Sequence, residues 1–244
     1  MFPLKDHNPT LRPPVTTIAL IAANVLVWVL VEGMGAEPWL SRSVCELGLI
    51  PGELLGRLPP GASVQLGPHV TCRLGRPDWV APLSSMFMHG SWLHLIGNMW
   101  FLWVFGNNVE DVTGRVRFLA FYLLSGFAAA AAQILSDPSS AVPMVGASGA
   151  IGGVMGAYVM LFPGARITTL LFLGFFSRLI EVPAVVMLGY WFLLQILSGA
   201  VAVKGGGGVA FWAHVGGFLA GVVLIHLFVN PGLLRAHRRE TQWA

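Results

Sequence analysis

A serine, a histidine and a histidine–asparagine pair one helical turn apart each stand at the opening of a long apolar run. Ser148 precedes the run to Phe162, His214 heads the last run, and His94 with Asn98 heads another. Polar groups inside such runs are costly when unpaired, so they tend to meet one another. A serine hydroxyl is a poor nucleophile until a base takes its proton, and a neutral imidazole is the usual base near neutral pH. Ser148 is therefore the candidate nucleophile and His214 the candidate base. Attack on a carbonyl creates an oxyanion, which needs donors already in place. His94, Asn98 and the backbone N–H groups at the amino end of the helix opened by Ser148 are the candidates for that role. The plain alternative is that these side chains only hold helices together, as serines and His–Asn pairs commonly do in membranes. A triad would set a carboxylate behind the imidazole, yet all eleven Asp and Glu residues fall in loops, tails or at span edges, Glu32 and Glu181 being nearest. A Ser–His dyad is the economical reading. No His-Glu-x-x-His occurs, and Ala150 breaks the soluble-hydrolase pattern G-x-S-x-G, so no metal or other cofactor is expected.

A short O–N contact between two helices also needs backbones that approach closely. Small residues four apart supply that approach: Gly149 with Gly153 and Gly152 with Gly156 after the serine, and Gly217 with Gly221 after the histidine.

Composition dictates the elements that carry these groups. Of 244 residues, 55% are hydrophobic and only 10% charged, too few charges to clothe a soluble globule. The net charge of +3 is modest and the basic residues are scattered among apolar runs, so the lipid bilayer is the expected partner and nucleic acid is not. The pattern predicts an all-α polytopic membrane protein of six spans, at about 16–32, 91–106, 115–135, 148–163, 181–199 and 209–229. Thr16 or Thr17 is expected to cap the first span and Ser91 the second. Gly106-Asn107-Asn108 is expected to stop the second, and Glu110-Asp111 to lead into the third. One membrane domain over 16–230 would lie between a polar, proline-broken lead, 1–15, in water and a basic tail, 231–244. Between the first two spans, Gly35 to Met88 reads as a long connector punctuated by Pro51-Gly52, Pro59-Pro60-Gly61 and Gly67-Pro68, with Trp39 and Trp79 suited to the membrane interface. Both cysteines, Cys45 and Cys72, fall in it. A disulfide between them in an oxidising compartment and two free thiols are both open readings. Ile167 to Phe176 is apolar but too short to span and reads as interfacial, which leaves one span between those of Ser148 and His214 and puts both residues at one membrane face. Lys5, Arg12, Arg115, Arg117, Arg166, Arg178, Arg235, Arg238 and Arg239 then share one side, against Arg42, Arg57, Arg73, Arg76 and Lys204 on the other. Nine against five predicts cytoplasmic termini, with the long loop and the polar groups near the outer face.

Three motifs together resemble the bacterial rhomboid intramembrane serine proteases: Gly146-Ala147-Ser148-Gly149, Ala213-His214-Val215-Gly216-Gly217 with Gly221, and His89 to Asn98, extended by Asn108-Val109-Glu110-Asp111. The resemblance covers about His89 to Val229. It implies a six-helix core with a long first exoplasmic loop, cleaving the transmembrane segments of other proteins near the outer face of a bacterial inner membrane. Ser148 is then nucleophile, His214 base, and His94 and Asn98 assist the oxyanion together with the Ser148 backbone. Gly146, Gly149, Gly217, Gly221 and His89 match positions that look structural. Two departures stand out. The Trp-Arg that many members carry in the first loop is here Trp79-Val80. The aromatic residue that some members stack on the histidine, one turn after the serine, is here Gly152. A catalytically silent relative that binds membrane clients would share the helices but commonly lacks the serine or the histidine.

Overall fold

In the computed structural model the described residues are 1–59, 61–67, 70–75, 77–173, 176–202 and 209–241, so Pro60, Pro68, Arg76, Lys204 and tail residues 242–244 lie outside them. The chain opens with strand β1, Phe2–Asp6, and helix α1, Val15–Leu30. Neither Thr16 nor Thr17 caps α1. Pro14 takes the N-cap position, and the Glu110 carboxylate, from a distant helix, accepts the Thr16 and Thr17 N–H groups and the Thr17 hydroxyl at 2.8 Å each. An anion there satisfies orphan donors and complements the helix dipole.

The expected connector after α1 contains ordered elements: α2 (Trp39–Leu47), α3 (Pro51–Leu54), a hairpin of β2 (Ser63–Gly67) and β3 (Val70–Arg73), and α4 (Ala81–Ser84). A disulfide joins Cys45 of α2 to Cys72 of β3, with Cα atoms 5.2 Å apart. Helix α5 follows at Trp92–Thr113, and the Ser91 hydroxyl caps it by accepting the His94 N–H at 3.2 Å. It runs seven residues past Gly106 because its last turns bury polar side chains on partners. Asn108 Nδ2 donates to the Asn8 carbonyl at 2.8 Å, and Asp111 accepts from the Leu11 N–H and from Arg12. Glu110 and Asp111 therefore close α5 instead of opening the next helix, α6, Arg115–Ser136.

Helix α7, Ser148–Leu161, is buried on all sides from Gly149 to Tyr158, as a helix apolar all round must be. The apolar segment after it forms strands: β4 (Arg166–Leu173) and β5 (Phe176–Pro183) pair antiparallel, and β1 adds to β4 with Phe2 opposite Leu170 and Asp6 opposite Ile167. Thr168, Thr169, Ile180 and Val182 suit a pleated sheet better than a helix. The all-α expectation is corrected here, and the lead, 1–15, supplies one strand of this sheet. Helices α8 (Ala184–Val201), α9 (Phe211–Phe228) and α10 (Pro231–Thr241) complete the chain. The tail is thus largely helical, and the buried His237 lies 2.8 Å from Asp111 and 2.9 Å from Asn8 Oδ1.

Helices α6, α8 and α9 are long and apolar enough to cross a membrane, while α1 and α7 are shorter apolar helices. Val185, Leu193 and Leu197 of α8 and Ile18 and Leu26 of α1 are exposed, the surface an acyl-chain solvent requires.

Candidate active site

Helices α7 and α9 run parallel and in close contact. A Cβ on Gly217 would run into the Gly149 carbonyl and one on Gly221 into the Gly153 carbonyl, so the same step of four residues repeats along both helices. The two glycine stripes face each other, and their first turns lie side by side. Ser148 is the first residue of α7 and His214 the fourth of α9. Ser148 Oγ lies 2.7 Å from His214 Nε2.

His94 and Asn98, in the first two turns of α5, border the same cavity of about 1150 Å³ as Ser148 and His214. Asn98 is buried, and its Nδ2 finds no partner among the described residues. His94 Nδ1 accepts the Gly90 N–H at 3.4 Å, which leaves the proton on Nε2. Gly146 has φ +127, and a Cβ there would fall 2.7 Å from His94 Nε2. Glycine is required at that position both for its conformation and for the space over His94.

His89 is buried just before α5. Its backbone N–H donates to Glu32 Oε1 at 2.7 Å, its ring meets that of His94 edge-on at 5.0 Å, and neither ring nitrogen has a hydrogen-bond partner among the described residues. Burial, together with the neighbouring His94, pushes the His89 imidazole down to about 3, so it stays neutral. Its place is that of a packing wall behind His94. The two carboxylates nearest a span lie away from the imidazole of His214: Glu32 is engaged with His89, and Glu181 lies in β5 near His7 and Arg166.

Three contacts on the His214 turn were not expected from the sequence. Gln195 Oε1 of α8 lies 2.7 Å from His214 Nδ1, and the Trp191 ring, one turn earlier on α8, lies 5.7 Å from the imidazole. From the other side, Gln133 Oε1 of α6 accepts the Ala213 N–H at 3.2 Å. At Gly152 a Cβ would sit 3.1 Å from the His214 carbonyl, so that place is occupied by the backbone of α9 and the imidazole is supported from α8. Gln195 carried a readable signal, an amide in the middle of an apolar helix.

Apolar helices around a cavity that Ser148, His214, His94 and Asn98 border define an integral membrane protein with an internal site. Residues 76–231 match the Rhomboid domain, well over half of the chain, and the chain belongs to the rhomboid family. It is 30% identical over 161 residues to Rhomboid-like protein 11, chloroplastic, of Arabidopsis thaliana, covering 62% of this chain and 53% of that protein. It is 29% identical over 172 residues to Rhomboid protein 1, mitochondrial, of Saccharomyces cerevisiae, covering 68% and 46%. Rhomboid protease GluP of Bacillus subtilis is 29% identical over 161 residues, 66% of this chain and 29% of that protein. The chain spans about half the length of the first two relatives.

Proposed function

We propose that this protein is an intramembrane serine endopeptidase that cleaves transmembrane segments of other membrane proteins through Ser148 and His214. The observation that carries the reading is the 2.7 Å approach of Ser148 Oγ to His214 Nε2 in a cavity that also receives the unpartnered Asn98 amide. His214 Nε2 takes the hydroxyl proton while Oγ bonds to the scissile carbonyl carbon. The resulting oxyanion meets Asn98 Nδ2–H, His94 Nε2–H and the backbone N–H groups opening α7. His214 returns the proton to the amide nitrogen, the C–N bond breaks and an acyl-enzyme remains. Water, deprotonated by the same imidazole, then hydrolyses the ester. A carbonyl in an intact helix is hydrogen-bonded and covered, so substrates should carry weak helix formers such as Gly near the cleaved bond.

The bundle is read as six spans, α1, α5, α6, α7, α8 and α9, over residues 16–230. Nine basic residues against five support cytoplasmic termini in a bacterial inner membrane, with the elements from α2 to α4 and the site toward the outside. At 14 residues α7 is about 21 Å long, short of the ~30 Å hydrocarbon core. Ser148 accordingly opens into a water-accessible pocket below the surface.

The test is purified protein in detergent or lipid, offered a fluorophosphonate probe and model single-span substrates. Wild type should label and cleave, and Ser148→Ala and His214→Ala should each do neither. If wild type neither labels nor cleaves any substrate, the client-binding alternative replaces this reading.

A further inference from the structure

Gln195 is the amide in the middle of α8, an 18-residue helix that is otherwise almost wholly apolar. An amide in that setting is costly without partners. Both of its ends are used. Oε1 lies 2.7 Å from His214 Nδ1, and Nε2 donates to the Trp191 carbonyl one turn earlier at 3.5 Å. The second contact fixes the orientation of the first, because a flipped amide would set Oε1 against the Trp191 carbonyl, two acceptors facing each other. Oε1 can only accept, so Nδ1 of His214 must carry the ring proton. Nε2 is then left with its lone pair, at the 2.7 Å where the Ser148 hydroxyl stands as donor. The Trp191 ring, tilted 38° at 5.7 Å, closes one side of the imidazole.

From this geometry we infer that Gln195 is the positioning residue of the site. It selects the His214 tautomer that can take the Ser148 proton, so the working unit is Ser148–His214–Gln195. This inference rests on the protease reading for its catalytic consequence, though not for the tautomer itself. A neutral amide stands where soluble serine hydrolases keep a carboxylate. It orders the ring without placing a buried negative charge in the membrane, where such a charge would have to be paired. The choice of base tautomer is thus made by α8, a helix that carries neither Ser148 nor His214, and neither His94 nor Asn98.

The experiment uses Gln195→Met, close in volume but unable to hydrogen-bond, and Gln195→Glu, which keeps an acceptor at the same reach. The first readout is the ring protonation of His214 by nitrogen NMR on histidine-labelled protein. Wild type should show Nδ1–H, Gln195→Met a substantial Nε2–H population, and Gln195→Glu a restored Nδ1–H. The second is cleavage, where Gln195→Met should lower kcat by ~100-fold or more with KM within about threefold, and Gln195→Glu should recover most of the loss. Wild-type His214 found as Nε2–H overturns the inference, and so does a Gln195→Met protein with wild-type tautomer and rate. Should Gln195→Met fail to fold, Gln195→Glu decides: a folded protein that labels with the fluorophosphonate at near wild-type rate supports the role, and a folded but inert one refutes it. A wild type that shows Nδ1–H but never cleaves would sink the protease reading while leaving the positioning role of Gln195 in place.

Discussion

Replacing Gly221 by alanine adds one methyl group at the point where α9 touches α7. The added carbon would overlap the Gly153 carbonyl oxygen, which is backbone and cannot rotate away. The two helices must part by upwards of ~1 Å before that carbon reaches ordinary contact distance of ~3.5 Å. Overpacking of this kind costs about 1–3 kcal/mol in stability. The catalytic effect should be larger in proportion, because Ser148 Oγ and His214 Nε2 sit on these same two helices only 2.7 Å apart, and a misplacement of ~1 Å commonly lowers rate by about a hundredfold. Gly189→Ala on α8 is the control, since a Cβ there meets nothing within 4 Å and alanine is the better helix former by up to ~1 kcal/mol. The assay is thermal melting in detergent beside initial rates on a model substrate. Gly221→Ala should melt lower and lose about two orders of magnitude in kcat/KM, whereas Gly189→Ala should match or exceed wild type in both. If Gly221→Ala keeps wild-type melting and rate, close approach of α7 and α9 is not what aligns the site.

On the proposed protease reading Asn98 is one oxyanion donor, so Asn98→Ala should lower kcat by roughly a hundredfold or more with little change in melting; a rate within twofold of wild type would remove Asn98 from the site. Burial pushes the Asp6 carboxyl up from 3.8 to about 6, while the Tyr158 hydroxyl donates to it at 2.9 Å. The folded state therefore holds that proton more tightly than the unfolded state, and stability falls as pH rises from about 4 to 6, by up to ~3 kcal/mol. Asp6→Asn should melt above wild type at pH 7.5 and converge with it near pH 4, and equal melting at pH 7.5 would refute the sign. Cys45→Ser opens a link between residues 27 apart and should weaken the region from α2 to β3 by roughly 3 kcal/mol in the chain-entropy model. Limited proteolysis within residues 39–73 reads this, and unchanged cleavage would show that the bond constrains little there.

Ser148, His214, His94 and Asn98 were legible because each interrupts an apolar run at its opening, where an unsatisfied polar group demands a partner. The glycine spacing likewise showed that backbones had to meet. It could not say which glycines would face, or that Gly149 would lie against Gly217 with the helices parallel, since that is a property of the assembled bundle. Gln195 met the same criterion as Ser148, a polar group in a span. It stands mid-helix, though, where sequence does not reveal which neighbour its amide reaches. Ser91 caps α5 as its chemistry suggests, whereas the cap expected at the first span is not found, for a related reason. Thr16 and Thr17 have the chemistry of N-caps, yet both lie inside the first turn, where their own N–H groups and the Thr17 hydroxyl are accepted by Glu110, more than ninety residues away. That substitution also explains why α5 passes Gly106-Asn107-Asn108 without stopping: the polar residues that looked like a boundary are the anchors by which α5 holds α1, Asn8 and α10 at the end away from Ser148. A turn signal is a statement about solvent, and inside this bundle the polar residues are answered by protein instead.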